Sequence, residues 1–151
     1  MKAEATVKIL NRALSLEYAG IIQYSQNAQL VQGLHREIYH DLFKKLSEEC
    51  LDHAGKVGRW IVLLDSIPTV EPAAIKQTTD LNEMLRNALE LEREAYETYA
   101  EALKTAQDNP ALRLFLEEMV YDEYLQVDEF EKILGKKNFQ ASAKEARTHK
   151  S

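Results

Sequence analysis

Apolar residues recur at alternating spacings of three and four through four long stretches of the chain, the period of an amphipathic helix. The first stretch runs from about Ala3 to Gln32 and stops at Gly33, a residue suited to the turn past a helix end. The second runs from about Leu34 to Asp65. From Ser66 to Thr79 the period is lost and Pro68 and Pro72 intervene, so this segment reads as a connection. The third starts at Asp80, where Asp80-Leu81-Asn82-Glu83 has the pattern of a capping box, and runs to about Gln107. Asn109-Pro110 supplies an N-cap and a first-turn proline for the fourth, which ends at Gly135 with Lys132 in its last turn.

Link lengths then predict the topology. Short links near Gly33 and Asp108-Asn109 make two antiparallel helix hairpins. The link between the second and third helices is long enough to run the length of a bundle of helices roughly 40 Å long. The expectation is an all-α four-helix bundle over residues 1–135, with a long crossover between helices 2 and 3 and the two hairpins as related halves. Residues 136–151 read as a polar, basic C-terminal tail, solvated and mobile.

Each core stripe is apolar along most of its length and polar in its middle. Helix 1 gives Leu10, Leu14, Glu17, Ile21, Tyr24, Ala28, Val31, and helix 2 gives Tyr39, Phe43, Leu46, Cys50, His53, Val57, Trp60, Leu64. Helix 3 gives Leu81, Leu85, Ala88, Glu92, Ala95 or Tyr96, Tyr99, Leu103, and helix 4 gives Leu112, Leu116, Met119, Glu123, Gln126, Phe130, Ile133. A carboxylate inside a bundle loses hydration worth several kcal/mol. Glu17, Glu92 and Glu123 at one level would also repel one another, and a cation among them removes both penalties. His53 adds an imidazole, the commonest protein metal ligand. Tyr24 and Tyr99 lie on the stripes, where core packing with a bonded hydroxyl is the default. Glu48, Glu49 and Asp52 flank the helix 2 motif and are expected to face other directions.

Composition narrows the class further. With 5 Gly and 3 Pro in 151 residues, the chain lacks the turns of an all-β fold. Its longest aliphatic run, Ile61-Val62-Leu63-Leu64, is far short of a membrane span, and its first residues lack the apolar core of a secretory signal. A single cysteine agrees with a cytoplasmic protein. The net charge of −6 combines an acidic body with a tail holding five basic residues and one acid, which argues against nucleic acid as the main partner.

Dimetal sites in helix bundles use a lone Glu from each of two helices and a Glu-x-x-His pair from each of the other two. Glu17 and Glu92 are the lone glutamates; the pairs here are Cys50-Leu51-Asp52-His53 and Glu123-Tyr124-Leu125-Gln126. With Leu16-Glu17-Tyr18-Ala19-Gly20-Ile21-Ile22-Gln23-Tyr24, His53-Ala54, Met84-Leu85-Arg86 and Leu91-Glu92, the chain over about residues 5–135 resembles the ferritin-like superfamily, and bacterioferritin within it. The resemblance implies that Glu17 and His53 hold one iron and Glu92 with Gln126 the other. Glu123 then bridges them, Cys50 stands where the second bridging glutamate is expected, and Tyr24 stands beside the site. The haem-ligating methionine of bacterioferritins falls at Leu51, so no haem is expected.

The leading expectation is therefore a non-haem iron-binding protein that oxidises Fe(II) with dioxygen or peroxide, with Glu17, His53, Glu123 and Tyr24 in the reacting centre. The metal set is Glu17, Cys50, His53, Glu92, Glu123 and Gln126, with zinc or manganese as alternative metals. Two other readings stand beside it: a redox-inactive paralogue with one structural metal, where zinc would use Cys50, His53 and two carboxylates, and a small-molecule oxidase working through Cys50. The expected assembly is a homo-oligomer, a dimer on the side of helices 1 and 2, with a 24-subunit cage as the alternative.

Overall fold

A computed structural model of the chain describes residues 2–139. Helix α1 spans Lys2–Leu30, α2 Arg36–Leu63, α3 Leu81–Thr105 and α4 Pro110–Ile133, and no strand occurs among the described residues. The chain is thus the all-α four-helix bundle its periodicity predicts. The basic tail falls outside the described residues from 140 onward.

Local chemistry sets the helix ends. Asn109 Oδ1 accepts from Leu112 N at 3.1 Å, and Asp80 Oδ2 accepts from Glu83 N at 2.9 Å. The reciprocal half of the capping box runs through a third residue: Asp80 N donates to Thr78 Oγ1, and that hydroxyl donates to Glu83. Helix α4 closes with Gly135 at φ 66°, where Lys136 N reaches Glu131 O and Gly135 N reaches Lys132 O. Asp65 plays the same part after α2 at φ 61°. Helix α1 stops at Leu30, short of Gln32, because the turn through Gly33 (φ 109°) takes up residues 31–35. No basic residue lies in the last turn of α1. Arg36 supplies the charge from the next helix, its guanidinium donating to the carbonyls of Ala28, Gln29 and Val31.

The crossover lies along α1. Thr69 N donates to Asn11 Oδ1 (2.8 Å), Ala73 N to Ser15 O (2.9 Å), and Lys76 N to Gln23 Oε1 (2.9 Å). The crossover therefore runs in the direction of α1 and delivers α3 antiparallel to it. Helix α1 packs on α2 and α3, and α3 on α4, leaving the α2–α4 side the wide one. Ile9, Ala13, Leu16 and Ala19 of α1 are buried beyond the expected stripe, together with Asn27 and with Gln23, whose Oε1 accepts from Lys76 N of the crossover. Ile133, expected in the core, is the last residue of α4 and is 39% exposed.

The interior divides into two apolar regions. One gathers Leu10, Leu14, Val57, Ile61, Leu112 and Leu116; the other Val31, Phe43, Leu46, Met84, Leu85 and Phe130. The polar middles of the four stripes meet between them. Replacing Asp80 or Asn109 by Ala should each lower unfolding stability by about 1 kcal/mol. Being distant, the two changes should add to about 2 kcal/mol in urea titration of the double variant.

Candidate metal centre

Glu17, His53 and Glu123 converge at the middle of the bundle. One donor atom from each lies within 4.8 Å of the others. His53 Nδ1 is 3.5 Å from Glu17 Oε1 and 3.6 Å from Glu123 Oε1. Glu17, Glu92 and Glu123 are all buried, while His53 is partly exposed toward the α2–α4 side. Glu123 Oε2 is buried without a hydrogen-bond partner among the described residues. A buried carboxylate oxygen with no donor is costly and is the natural place for a cation.

Two tyrosines brace the lone glutamates across the α1–α3 contact. The Tyr99 hydroxyl donates to Glu17 Oε1 at 2.8 Å, and the Tyr24 hydroxyl donates to Glu92 Oε1 at 2.5 Å. In each helix the tyrosine follows its glutamate by seven residues, two turns on the same face, so antiparallel pairing gives two equivalent bridges. The tyrosine bonds to Glu17 and Glu92 were not specified by the stripes alone, though the paired seven-residue spacing was a signal for them.

Electrostatics follow the burial. Burial raises the Glu17 carboxyl, against the pull of His53 and with Glu92 adding to the rise. Burial also lifts Glu123 well above the ordinary carboxylate range, with Glu92, Glu17 and Asp122 pushing the same way. Burial opposes the His53 imidazolium, but the Glu17 carboxylate, with Glu92 and Asp122 behind it, outweighs that and raises its pKa. Burial and the neighbouring carboxylates keep both phenols protonated.

Cys50 lies in the same layer but its thiol is turned to α1. A Cβ placed on Gly20 would lie 2.5 Å from Cys50 Sγ, so the thiol occupies the space that the missing side chain leaves. Burial, then Glu17 and the other two carboxylates, push the thiol pKa far up. Cys50, Glu92 and Gln126 do not join the close group of Glu17, His53 and Glu123. All three line, together with His53 and Glu123, a cavity of about 390 Å³ that opens between α2 and α4. Glu49 and Asp52, expected to face elsewhere, also line this cavity, as do Asp122 and Glu129 of α4. The helix 2 stripe is narrower than the face that the open α2–α4 side exposes, which is why the sequence pattern missed them.

The donor set, two carboxylates and an imidazole around an unpartnered carboxylate oxygen, fits a divalent transition metal. Fold and centre together define a helical bundle protein with a buried carboxylate-histidine site. The family profile of the ferritin-like domain matches residues 7–139, and the chain belongs to that family. A ferritin-like, diiron-carboxylate protein from Bacillus anthracis str. Ames has a similar structure, with 29% identity, a TM-score of 0.86, and coverage of 89% of this chain and 98% of that one. The dodecameric thioferritin of Bacteroides fragilis, a bacterioferritin-related protein, is 20% identical with a TM-score of 0.79, covering 88% of this chain and 86% of that one. The bacterioferritin of Desulfovibrio desulfuricans is 16% identical with a TM-score of 0.78, covering 89% and 80% respectively. No curated protein matches the chain at a significant level. Among the described residues no helix is long and apolar enough to cross a membrane.

Two outcomes are expected. Gly20→Ala should cost at least about 1 kcal/mol more in the natural background than in Cys50→Ala, a coupling that a double-mutant cycle of urea midpoints measures. Because burial favours protonated Glu17 and Glu123, and Glu17 favours protonated His53, a binding metal must displace protons. Its apparent affinity should rise between about pH 5 and about pH 8, with proton release measurable by calorimetry in buffers of different ionisation enthalpy.

Proposed function

We propose that this protein handles iron, binding Fe(II) as its substrate in the middle of the bundle and presenting it to dioxygen or hydrogen peroxide for oxidation. The observation that carries this reading is the convergence of Glu17, His53 and Glu123 around a buried, unpartnered carboxylate oxygen beside a cavity open to solvent. Each Fe(II) gives up one electron. With hydrogen peroxide as oxidant, two such electrons and two protons yield two waters. The carboxylates, as hard oxygen donors, suit both oxidation states, and Tyr99 holds Glu17 in place through its hydroxyl. The acidic side chains at the cavity, Glu49, Asp52, Asp122 and Glu129 against the single cation Lys56, favour entry of cations over anions.

The resemblance to iron proteins and the lone cysteine support a cytoplasmic setting, and Leu51 offers no sulfur donor for haem. Ile22, Leu51 and Val62 are exposed apolar side chains of α1 and α2. They suit a second copy of the chain, so the reading includes a homo-oligomer built on dimers. The presence of Cys50 and Gln126 within the site layer favours one competitor, a redox-inactive relative that merely holds a metal.

The test is stopped-flow absorbance of ferric product after Fe(II)-loaded protein, prepared without oxygen, meets dioxygen or peroxide. The natural chain should oxidise Fe(II) faster than buffer, and Glu123→Gln should lower the rate by about 100-fold or more. Oxidation no faster than in buffer, with metal bound, would hand the protein to the redox-inactive reading.

A further inference from the structure

We propose that each chain binds a single divalent transition-metal ion, on Glu17, His53 and Glu123, and that the Glu92 half of the centre holds none. This deepens the metal-binding part of the proposed function and does not depend on the oxidation step.

A dinuclear carboxylate site in a bundle needs four carboxylates and two imidazoles. One half is complete here: a lone glutamate, an imidazole and a glutamate from α4 bring their donor atoms within 4.8 Å. The other half has Glu92 and a share of Glu123, and its remaining two positions are filled by groups that do not serve. At the first of them, Cys50 does not join the close donor group. It is packed over Gly20, where even a methyl group would lie 2.5 Å away. At the second, Gln126 offers a neutral amide, half-buried at the cavity wall, in place of an imidazole. An amide oxygen is a weak donor for a first-row divalent metal.

Counting charge gives the same answer. Four carboxylates neutralise two dications, but this layer has three. Two ions would leave one positive charge in excess of the buried carboxylates, the remaining acids, Glu49, Asp52, Asp122 and Glu129, lying at the solvent-open wall of the cavity. One ion leaves one negative charge in excess, and the structure accommodates that charge: Glu92 Oε1 already accepts the Tyr24 hydroxyl at 2.5 Å. The Tyr–Glu bonds themselves do not distinguish the halves, since Glu17 has the equivalent bond from Tyr99. What distinguishes them is the company of each glutamate: His53 stands 3.5 Å from Glu17, whereas no imidazole lines the cavity on the Glu92 side, where Gln126 supplies an amide.

Three protein donors leave coordination positions open, as in catalytic rather than structural metal sites. The cavity between α2 and α4 gives those positions access to water or a small neutral ligand.

The experiment is an oxygen-free titration of the full chain with Co(II), followed by calorimetry and by visible absorption. Saturation at one Co(II) per chain is expected, with the spectrum of oxygen and nitrogen ligation and no thiolate-to-cobalt charge-transfer band. Glu123→Gln should weaken binding by about 100-fold or more. The double variant Cys50→Glu/Gln126→His, checked by circular dichroism for folding, should raise the count to two. Two Co(II) per chain in the natural protein, or a thiolate band, overturns the proposal. A count that stays at one in the folded double variant overturns the assignment of the missing half to positions 50 and 126. One Co(II) per chain without Fe(II) oxidation would sink the oxidation reading and leave this one standing, whereas no bound Co(II) sinks both.

Discussion

The structure depends on how buried carboxylates are kept from breaking the bundle that buries them. Glu17, Glu92 and Glu123 sit at one level of an otherwise apolar interior, each nearly without solvent contact. Dehydration costs several kcal/mol per charged group, and like charges add to the cost. The protein answers with two protonated phenols that donate to Glu17 and Glu92, and with His53 3.5 Å from Glu17. That supply is still short, because one oxygen of Glu123 has no donor. Two apolar regions, one on either side of the layer, provide the packing that tolerates this deficit.

The layer is symmetric in its scaffold and asymmetric in its chemistry. The bonds Tyr99–Glu17 and Tyr24–Glu92 are related by the antiparallel pairing of α1 and α3, as duplicated hairpins would arrange them. The other two helices break the equivalence, with His53 and Cys50 on α2 and Glu123 and Gln126 on α4. A shared frame can therefore carry two unlike half-sites, since the tyrosines brace the glutamates from the side away from α2 and α4.

Much of this was legible in the sequence because it is governed by local rules. Helical period, the caps at Asp80 and Asn109, and the unequal links fix four helices and their order. The polar middles of the stripes put Glu17, His53, Glu92 and Glu123 at one level. What the pattern did not reveal depends on distances between elements. The thiol of Cys50 turns toward α1 only because Gly20 lacks a side chain there, and nothing local to either residue says so. Gln23 looks like a surface residue of α1 until Lys76 of the crossover is seen to bond it. Glu49 and Asp52 reach the cavity only because α2 and α4 stand apart.

The three converging ligands come from both hairpins: Glu17 and His53 from the first, Glu123 from the second. An ion held by them is therefore also a cross-link, closing a loop that spans most of the chain. Closing so long a loop removes conformational freedom chiefly from the unfolded chain, as a disulfide does. With one cysteine, this protein cannot make such a bridge covalently within itself. Its ligands provide a reversible one, which gives way when the ion leaves or protons take its place.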